Sequence, residues 1–575
     1  MSKIYGPTLP ISQEIHQTKY RSEGETFEDA MMRLSSTLSD DTDHRRSLTE
    51  IFLEQRFMPA GRVQSAIGSP KQVTPWNCFV SGIIHDSFDD IMDKAKEAGI
   101  TMRLGGGIGY DFSSLRPRGS RIKSMGSQSS GPISFMDIFN ALCGTIASSG
   151  HRRGAQMGVL RVDHPDIEEF IHAKRNSTAL TRFNISVGVT DEFMEAVKRG
   201  GEFHLKWRGK IYSTVDARSL WDQIMRSTWD WAEPGVIFID RINKENNLWY
   251  CETITTTNPC GEQPLPPYGA CLLGSFNLVK YIRPNKTFDW GQFEKDIKAT
   301  VRAMDNIIDI GIYPLAAQEE EGKNKRRMGL GITGTANALE IMGYPYGSKA
   351  YIKMQSLILE KLRNDSYETS SDLAAEKGSF PLFEADKYLD GEFIKRLPKR
   401  IKDKIRNQGI RNSHLTSIAP TGTISLSADN ISSGIEPVFS YGFTRTIQTF
   451  DGPIFEDVTD YAYREYGVEG VKAGDIPVET HVKVLNAAQY WVDSACSKTC
   501  NVGDDVDWER FKDVYMQAYE GGAKGCTTFR ASGKRYGILN ESEPDNEPKE
   551  KEYIDDEDSV EACFIDPQTG QPTCS

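Results

Sequence analysis

The chain has 575 residues, 38% hydrophobic and 26% charged, a composition that excludes disorder or collagen-like structure for its body. Of its formal charge of −13, residues 540–575 carry −10 (twelve acids against two lysines), which leaves −3 for the other 539 residues. A nearly neutral body excludes the basic footprint of a nucleic-acid binder. No apolar run approaches the roughly 20 residues of a membrane span and MSKIYGPTLP lacks a signal-peptide core, so a cytoplasmic protein without membrane contact is expected.

Residues 1–50 are polar around a helical stretch at Phe27–Leu38 and predict a short helical N-terminal region. Asp86 and Ser87 can cap a helix whose apolar residues Phe88, Ile91, Met92, Ala95 and Met102 follow the 3.6 period. That helix stops at Leu104-Gly105-Gly106-Gly107-Ile108-Gly109, and Tyr110–Phe112 reads as a strand. Helical patterns recur at Phe135–Leu142, Trp221–Trp231, Ile297–Ile310 and Tyr351–Lys377, the last closed by Gly378. β-rich runs lie between them, among them Phe183–Val189 and Gly235–Ile239. Strands alternating with helices and the lack of a linker predict one large α/β unit over residues 51–536. Residues 537–575 turn acidic and Pro-rich, the composition of a flexible tail, yet they carry Cys563 and Cys574. Ten cysteines occur in the whole chain without a CxxC pair, so no metal site is expected and the thiols read as buried or catalytic.

The densest motif is Thr257-Asn-Pro-Cys-Gly-Glu-Gln-Pro-Leu-Pro-Pro-Tyr-Gly-Ala-Cys271. Its prolines and glycines forbid a helix and impose a loop. Asn258, Cys260 and Glu262 alternate, which in an extended segment puts them on one face. A thiol between an amide and a carboxylate suits one-electron or nucleophilic chemistry, with the carboxylate moving protons. A buried cysteine in a structural loop is the plain alternative. Pro420-Thr421-Gly422-Thr423-Ile424 offers backbone N–H groups and hydroxyls, a phosphate cradle where it opens a helix.

Asn258-Pro259-Cys260-Gly261-Glu262 resembles the finger-loop signature of ribonucleotide reductase catalytic subunits. Ala419–Ser425 resembles that family's substrate-phosphate loop, and Asn77-Cys78-Phe79-Val80 resembles its strand with the first redox cysteine. Arg161–Phe170 and Lys524–Thr528 have close counterparts too, all in family order. The resemblance implies a ten-stranded α/β barrel of two antiparallel five-stranded halves around a central finger loop. It implies that Cys260 carries a thiyl radical, that Glu262 takes the 3′-hydroxyl proton and that Asn258 holds the substrate. Cys78 and Cys271 would be the reducing dithiol, with Cys563 and Cys574 reducing the resulting disulfide by exchange. Asn77, Gly107, Pro259, Gly261 and Pro420–Ile424 would complete the site for a ribonucleoside di- or triphosphate.

Members that use a separate metal-radical subunit carry two adjacent tyrosines where this chain reads Gly525-Cys526-Thr527-Thr528-Phe529-Arg530. The segment resembles the adenosylcobalamin-dependent class, which implies adenosylcobalamin as cofactor. The alternatives kept are a catalytic subunit driven by a metal-radical partner and a non-catalytic nucleotide-binding regulator. Asp86, Arg116 and Ile122 match the positions that bind dNTP or ATP specificity effectors, and His151–Gln156 matches the loop relaying them to the substrate. About fifty residues precede Phe57, too few for an N-terminal ATP cone. A homodimer and a thioredoxin or glutaredoxin-like reductant are the expected partners.

Overall fold

The computed structural model describes residues 5–122, 126–148, 152–153, 155–175, 178–449, 452–530, 533, 564–566 and 571–573. The chain enters through three helices, α1 (Pro10–Tyr20), α2 (Phe27–Leu38) and α3 (Thr42–Leu53). Leu34, Leu38, Leu48 and Ile51 on α2 and α3 share one apolar core with Phe57, Phe293, Ile358 and Ile418, so this region packs onto the body. A short strand β1 (Phe57–Pro59) and helix α4 (Gly61–Ala66) follow.

Five strands then lie side by side and parallel: β2 (Cys78–Val80), β3 (Gly107–Asp111), β4 (Gln156–Arg161), β5 (Phe183–Val189) and β6 (Gly235–Phe238). Parallel neighbours need crossovers, and helices supply them. The first is α5 (Phe88–Arg103), and Pro132–Thr145, Asp191–Arg199 and Ala217–Trp231 are others. Their covering explains why these strands are buried almost throughout and read as apolar runs instead of alternating ones. The second core lies here, built from residues such as Ile91, Met102, Phe112, Val187, Trp221 and Phe511.

The chain next forms a hairpin of β7 (Thr256–Thr257) and β8 (Pro264–Leu265). Strand β9 (Ala270–Cys271) pairs antiparallel with β2. One residue later β10 (Leu273–Asn277) runs parallel to β11 (Gly329–Thr333) and antiparallel to β1. From β11 the pairing continues through single parallel bridges, Leu330 to Thr416 and Ile418 to Cys496. It ends in β12 (Thr499–Val502), parallel to β13 (Gly525–Arg530), and β13 returns antiparallel to β6. Both junctions between the two sets of strands are thus antiparallel.

The expected helix at Phe27–Leu38 and strand at Phe183–Val189 have those bounds. Phe135–Leu142 is the middle of a longer helix started by Pro132, and Ile297–Ile310 begins at Trp290, capped by Asp289. Ser87 caps α5, its Oγ accepting the Asp90 N–H, whereas Asp86 is engaged elsewhere. A hairpin of Glu202–Trp207 and Lys210–Asp216 was not expected; its outer strand is mostly exposed and lacks an apolar period. Among the described residues no helix is long and apolar enough to cross a membrane.

Candidate active site

The β7–β8 hairpin carries the Asn258–Gln263 loop into the space between the two sets of strands. The loop is a tight turn: the Gly261 N–H donates to Asn258 O at 3.1 Å, and the Asn258 N–H donates to Gln263 O at 3.1 Å. Gly261 adopts φ +80°, which favours glycine. The Asn258 carboxamide oxygen accepts the Gln263 N–H at 3.0 Å and locks the turn. The expectation of an extended segment with three side chains on one face is therefore corrected; the positive φ breaks the alternation. Gly109 seats the loop, because a Cβ there would collide with the Thr257 carbonyl oxygen. On the other side the Ala495 N–H and the Ser417 hydroxyl both donate to Glu262 O at 2.9 Å.

Two crevices flank this loop. The first is bounded by Asn77 and Cys78 of the β2 edge, Glu262, Ser275, and the Ala419–Ile424 turn. Cys78 and Cys271 face each other directly in the β2–β9 ladder and are not joined in a disulfide. Directly opposed residues hold their Cβ atoms about 5 Å apart, close to what a disulfide requires. Burial pushes the Cys271 thiol well above its ordinary range, and Cys78 and Glu262 add to the shift. Burial also pushes the Glu262 carboxyl up to about 7, against the pull of its own backbone N–H and the nearby Asn258 amide. Glu262 Oε2, Asn258 Nδ2 and Asn77 Oδ1 are buried without a hydrogen-bond partner. Orphans of this kind are rare in folded proteins and ask for a ligand or water.

Thr421 opens α6 (Gly422–Leu426) from a left-handed conformation, φ +58°. Its hydroxyl is committed to the fold: it meets Thr333 Oγ1 at 2.9 Å and accepts the Gly434 N–H at 2.8 Å. Thr423 and Ile424 line the crevice with Pro420 and Thr421. Helix α1 braces this turn from outside, Ser12 Oγ donating to Leu426 O at 2.6 Å, and its last residue, Tyr20, forms part of the crevice wall. Sequence reasoning missed Tyr20, since nothing local to α1 announces where its end docks. Gly107 packs between Cys78 and Pro259, where a Cβ would crowd Cys78 Sγ at 3.3 Å.

Pro259, Cys260 and Gly261 of the loop line the second crevice. Ser186, Gly235, Lys498, Lys524 and Thr527 are among its walls; Lys524 belongs to the Lys524–Thr528 motif, while Lys498 is a second feature the sequence did not disclose. Lys498 is buried and held by Glu436 at 2.5 Å and His481 at 2.9 Å. Cys260 is disulfide-bonded, so its chemistry belongs to the reduced form. Cys563 and Cys574 lie outside the described residues.

Away from both crevices, Asp86 pairs with Arg116 at 2.9 Å and also accepts the Arg116 N–H at 3.1 Å. Arg208 from the unexpected hairpin approaches Asp86 to 3.9 Å, and Ile122 stands on the nearby short strand Arg121–Ile122. Of the His151–Gln156 loop, Arg152–Arg153, Ala155 and Gln156 are described.

A family model described as ribonucleotide reductase, barrel domain, matches residues 76–468 and 470–529. The chain is 35% identical over 498 residues to a vitamin B12-dependent ribonucleoside-diphosphate reductase of Mycobacterium tuberculosis, covering 81% of this chain and 69% of that one. It is 32% identical over 595 residues to the Thermoplasma acidophilum protein of the same name, covering 96% and 75% respectively. A vitamin B12-dependent ribonucleotide reductase of Streptomyces coelicolor is 28% identical over 575 residues, covering 85% and 59%.

Proposed function

The chain belongs to the ribonucleotide reductase family, and from that premise we propose that it reduces ribonucleoside diphosphates to 2′-deoxyribonucleotides with adenosylcobalamin as radical source. The names of the relatives support the substrate class and the cofactor. One structural observation carries the site assignment: the loop lines two crevices that share no residue, Glu262 with Asn77 and Cys78 in one and Cys260 in the other.

The second crevice fits a bulky cofactor. Small residues, Gly235, Gly525, Ser186 and Thr527, are among its lining, and a Cβ on Gly261 would meet open space. What adenosylcobalamin supplies there is one-electron oxidation of a neighbouring thiol. Cys260 would be that thiol, and as a thiyl it would draw the 3′-hydrogen of the bound ribose. Glu262, with a pKa lifted to about 7, is suited to take the 3′-hydroxyl proton near neutral pH. Asn258 and Asn77 offer their orphaned amide atoms to the sugar hydroxyls. Cys78 and Cys271 supply two electrons and close into a disulfide, the state their opposition in the ladder favours. The Pro420–Ile424 turn receives the substrate phosphates, and Cys563 and Cys574 pass reducing equivalents from a thioredoxin or glutaredoxin-like protein.

We read the strands as a ten-stranded barrel. β2 to β6 form one parallel half, while β10, β11, the Thr416–Ile418 segment, β12 and β13 form the other. Asp86, Arg116 and Ile122 are read as the specificity site of a homodimer that meets along α5. The reading is supported by exposed Ile83, Phe88, Met92 and Ile100 on and beside that helix. The test is nucleotide reduction by the purified chain with dithiothreitol, with and without adenosylcobalamin. Turnover that depends on the cofactor is expected. Inactivity with it, and activity on adding a metal-containing partner, would overturn the cofactor assignment.

A further inference from the structure

Helix α1 begins without a cap of its own. Its N-cap position is Leu9, whose side chain accepts no hydrogen bond, and Pro10 follows at the first helical position. The missing acceptor comes from far along the chain. Asp429 is buried, and its carboxylate accepts the Thr8 N–H at 2.7 Å, the Leu9 N–H at 2.9 Å and the Thr8 hydroxyl at 3.1 Å. A carboxylate at a helix start occupies N–H groups that lack an intrahelical partner and complements the positive end of the dipole. Asp429 lies just beyond α6, the helix opened by the Pro420–Ile424 turn. To reach α1 the backbone passes through two consecutive left-handed residues, Asp429 at φ +61° and Asn430 at φ +56°. Such conformations are uncommon outside glycine and persist only where the surroundings hold them. Arg464 holds them here, donating to Asp429 O at 3.1 Å and to Thr459 O at 3.0 Å. Asn430 Nδ2 donates to the same Thr459 O at 3.1 Å.

Beyond its capped start, α1 stays on the turn. Ser12 Oγ donates to Leu426 O at 2.6 Å, and Ile11 and Ile15 pack with Leu426 and Val458. At its last residue the helix puts Tyr20 into the lining of the first crevice with Thr421, Thr423 and Ile424. Gly61 leaves room for that ring, since a Cβ there would come within 2.6 Å of Tyr20 Cε1. We propose that Asp429 is a positioning residue for the substrate phosphates: by capping α1 it fastens that helix across α6 and holds Tyr20 as a wall of the phosphate subsite. The inference rests on the Pro420–Ile424 turn receiving those phosphates. Asp429 lines neither crevice itself, so its effect reaches the substrate through α1 and the turn. Docking of α1 and binding of phosphate then favour each other, because a ligand held between Tyr20 and the turn selects the docked arrangement. Apparent affinity falls in proportion as the docked fraction falls.

The test is hydrogen–deuterium exchange of the full chain, with inorganic pyrophosphate as the probe. Pyrophosphate should slow exchange over residues 419–427 and, together with them, over residues 10–20. Asp429→Gly removes the carboxylate and leaves the left-handed backbone without strain. It should bind pyrophosphate about tenfold more weakly, the loss expected for one hydrogen bond to a charged group. Asp429→Asn keeps an oxygen for the two N–H groups and should stay within about threefold of the unaltered chain. In nucleotide reduction Asp429→Gly should raise KM for a ribonucleoside diphosphate about tenfold and leave kcat within about twofold. A helix that only completes the fold would not answer to pyrophosphate, and its loosening would not move KM alone. Protection of residues 419–427 without residues 10–20, an unchanged KM, or equal losses in the Asn and Gly variants would overturn the proposal. If Asp429→Gly does not fold, the exchange of the unaltered chain decides. Protection of neither segment would overturn the phosphate role of the turn, and this inference with it. Exchange needs neither cofactor nor turnover, so its result stands apart from the radical chemistry.

Discussion

At Glu262 the chemistry is set by the absence of solvent. Its carboxyl titrates near 7 because burial disfavours the anion, and a group that must accept a proton works only once it is ionised. The sign follows: kcat/KM should rise with pH through about 7, and Glu262→Gln should lose at least a hundredfold at every pH. A wild-type profile flat between pH 6 and 8 would remove Glu262 from the base role. The residue types at this site were legible in the Asn258–Glu262 pentapeptide, but their relative placement was not. Alternation assumes an extended chain, whereas Gly261 turns it, and Tyr20 arrives from a helix more than two hundred residues away in sequence.

Among the elements, the loop and its cradle strand are coupled through a missing side chain. Gly109→Ala would drive a Cβ into the Thr257 carbonyl and unseat the loop, so activity should fall more than a hundredfold while far-ultraviolet circular dichroism stays native. Retained activity would show that the loop finds its place without that contact. The β2–β9 ladder gives a second expectation. If the opposed thiols are the immediate donors, as proposed, Cys78→Ser or Cys271→Ser should stop product formation with any reductant. Cys563→Ser or Cys574→Ser should stop it with thioredoxin and spare it with dithiothreitol, a small thiol that needs no shuttle. Equal failure of the tail variants with both reductants would end the shuttle role. Element bounds were readable where a period is complete, as at Phe27–Leu38 and Phe183–Val189. They were not readable in the second half, where Gly329 and Gly331 give β11 little side chain to count. Those glycines are there because Ser417 of the neighbouring segment lies against them.

For the whole molecule, α5 presents an apolar face that its own chain does not cover. Phe88 is 65% exposed and Met92 41%, although both belong to the apolar period from which the helix was read, while Ile91 and Met102 are buried. Periodicity marks a helix but not which of its apolar residues its own core takes up. Phe88→Asp with Met92→Asp should yield monomers by sedimentation velocity and make substrate preference insensitive to dNTPs, with basal reduction largely kept. Dimers that persist would place the interface elsewhere. The loop between the two crevices has a pharmacological consequence as well. A compound lodged beside Cys78 and one lodged beside Cys260 occupy crevices with no lining residue in common. Double-inhibition plots for such a pair should intersect instead of running parallel, and a resistance substitution in either crevice should leave the potency of the other compound unchanged.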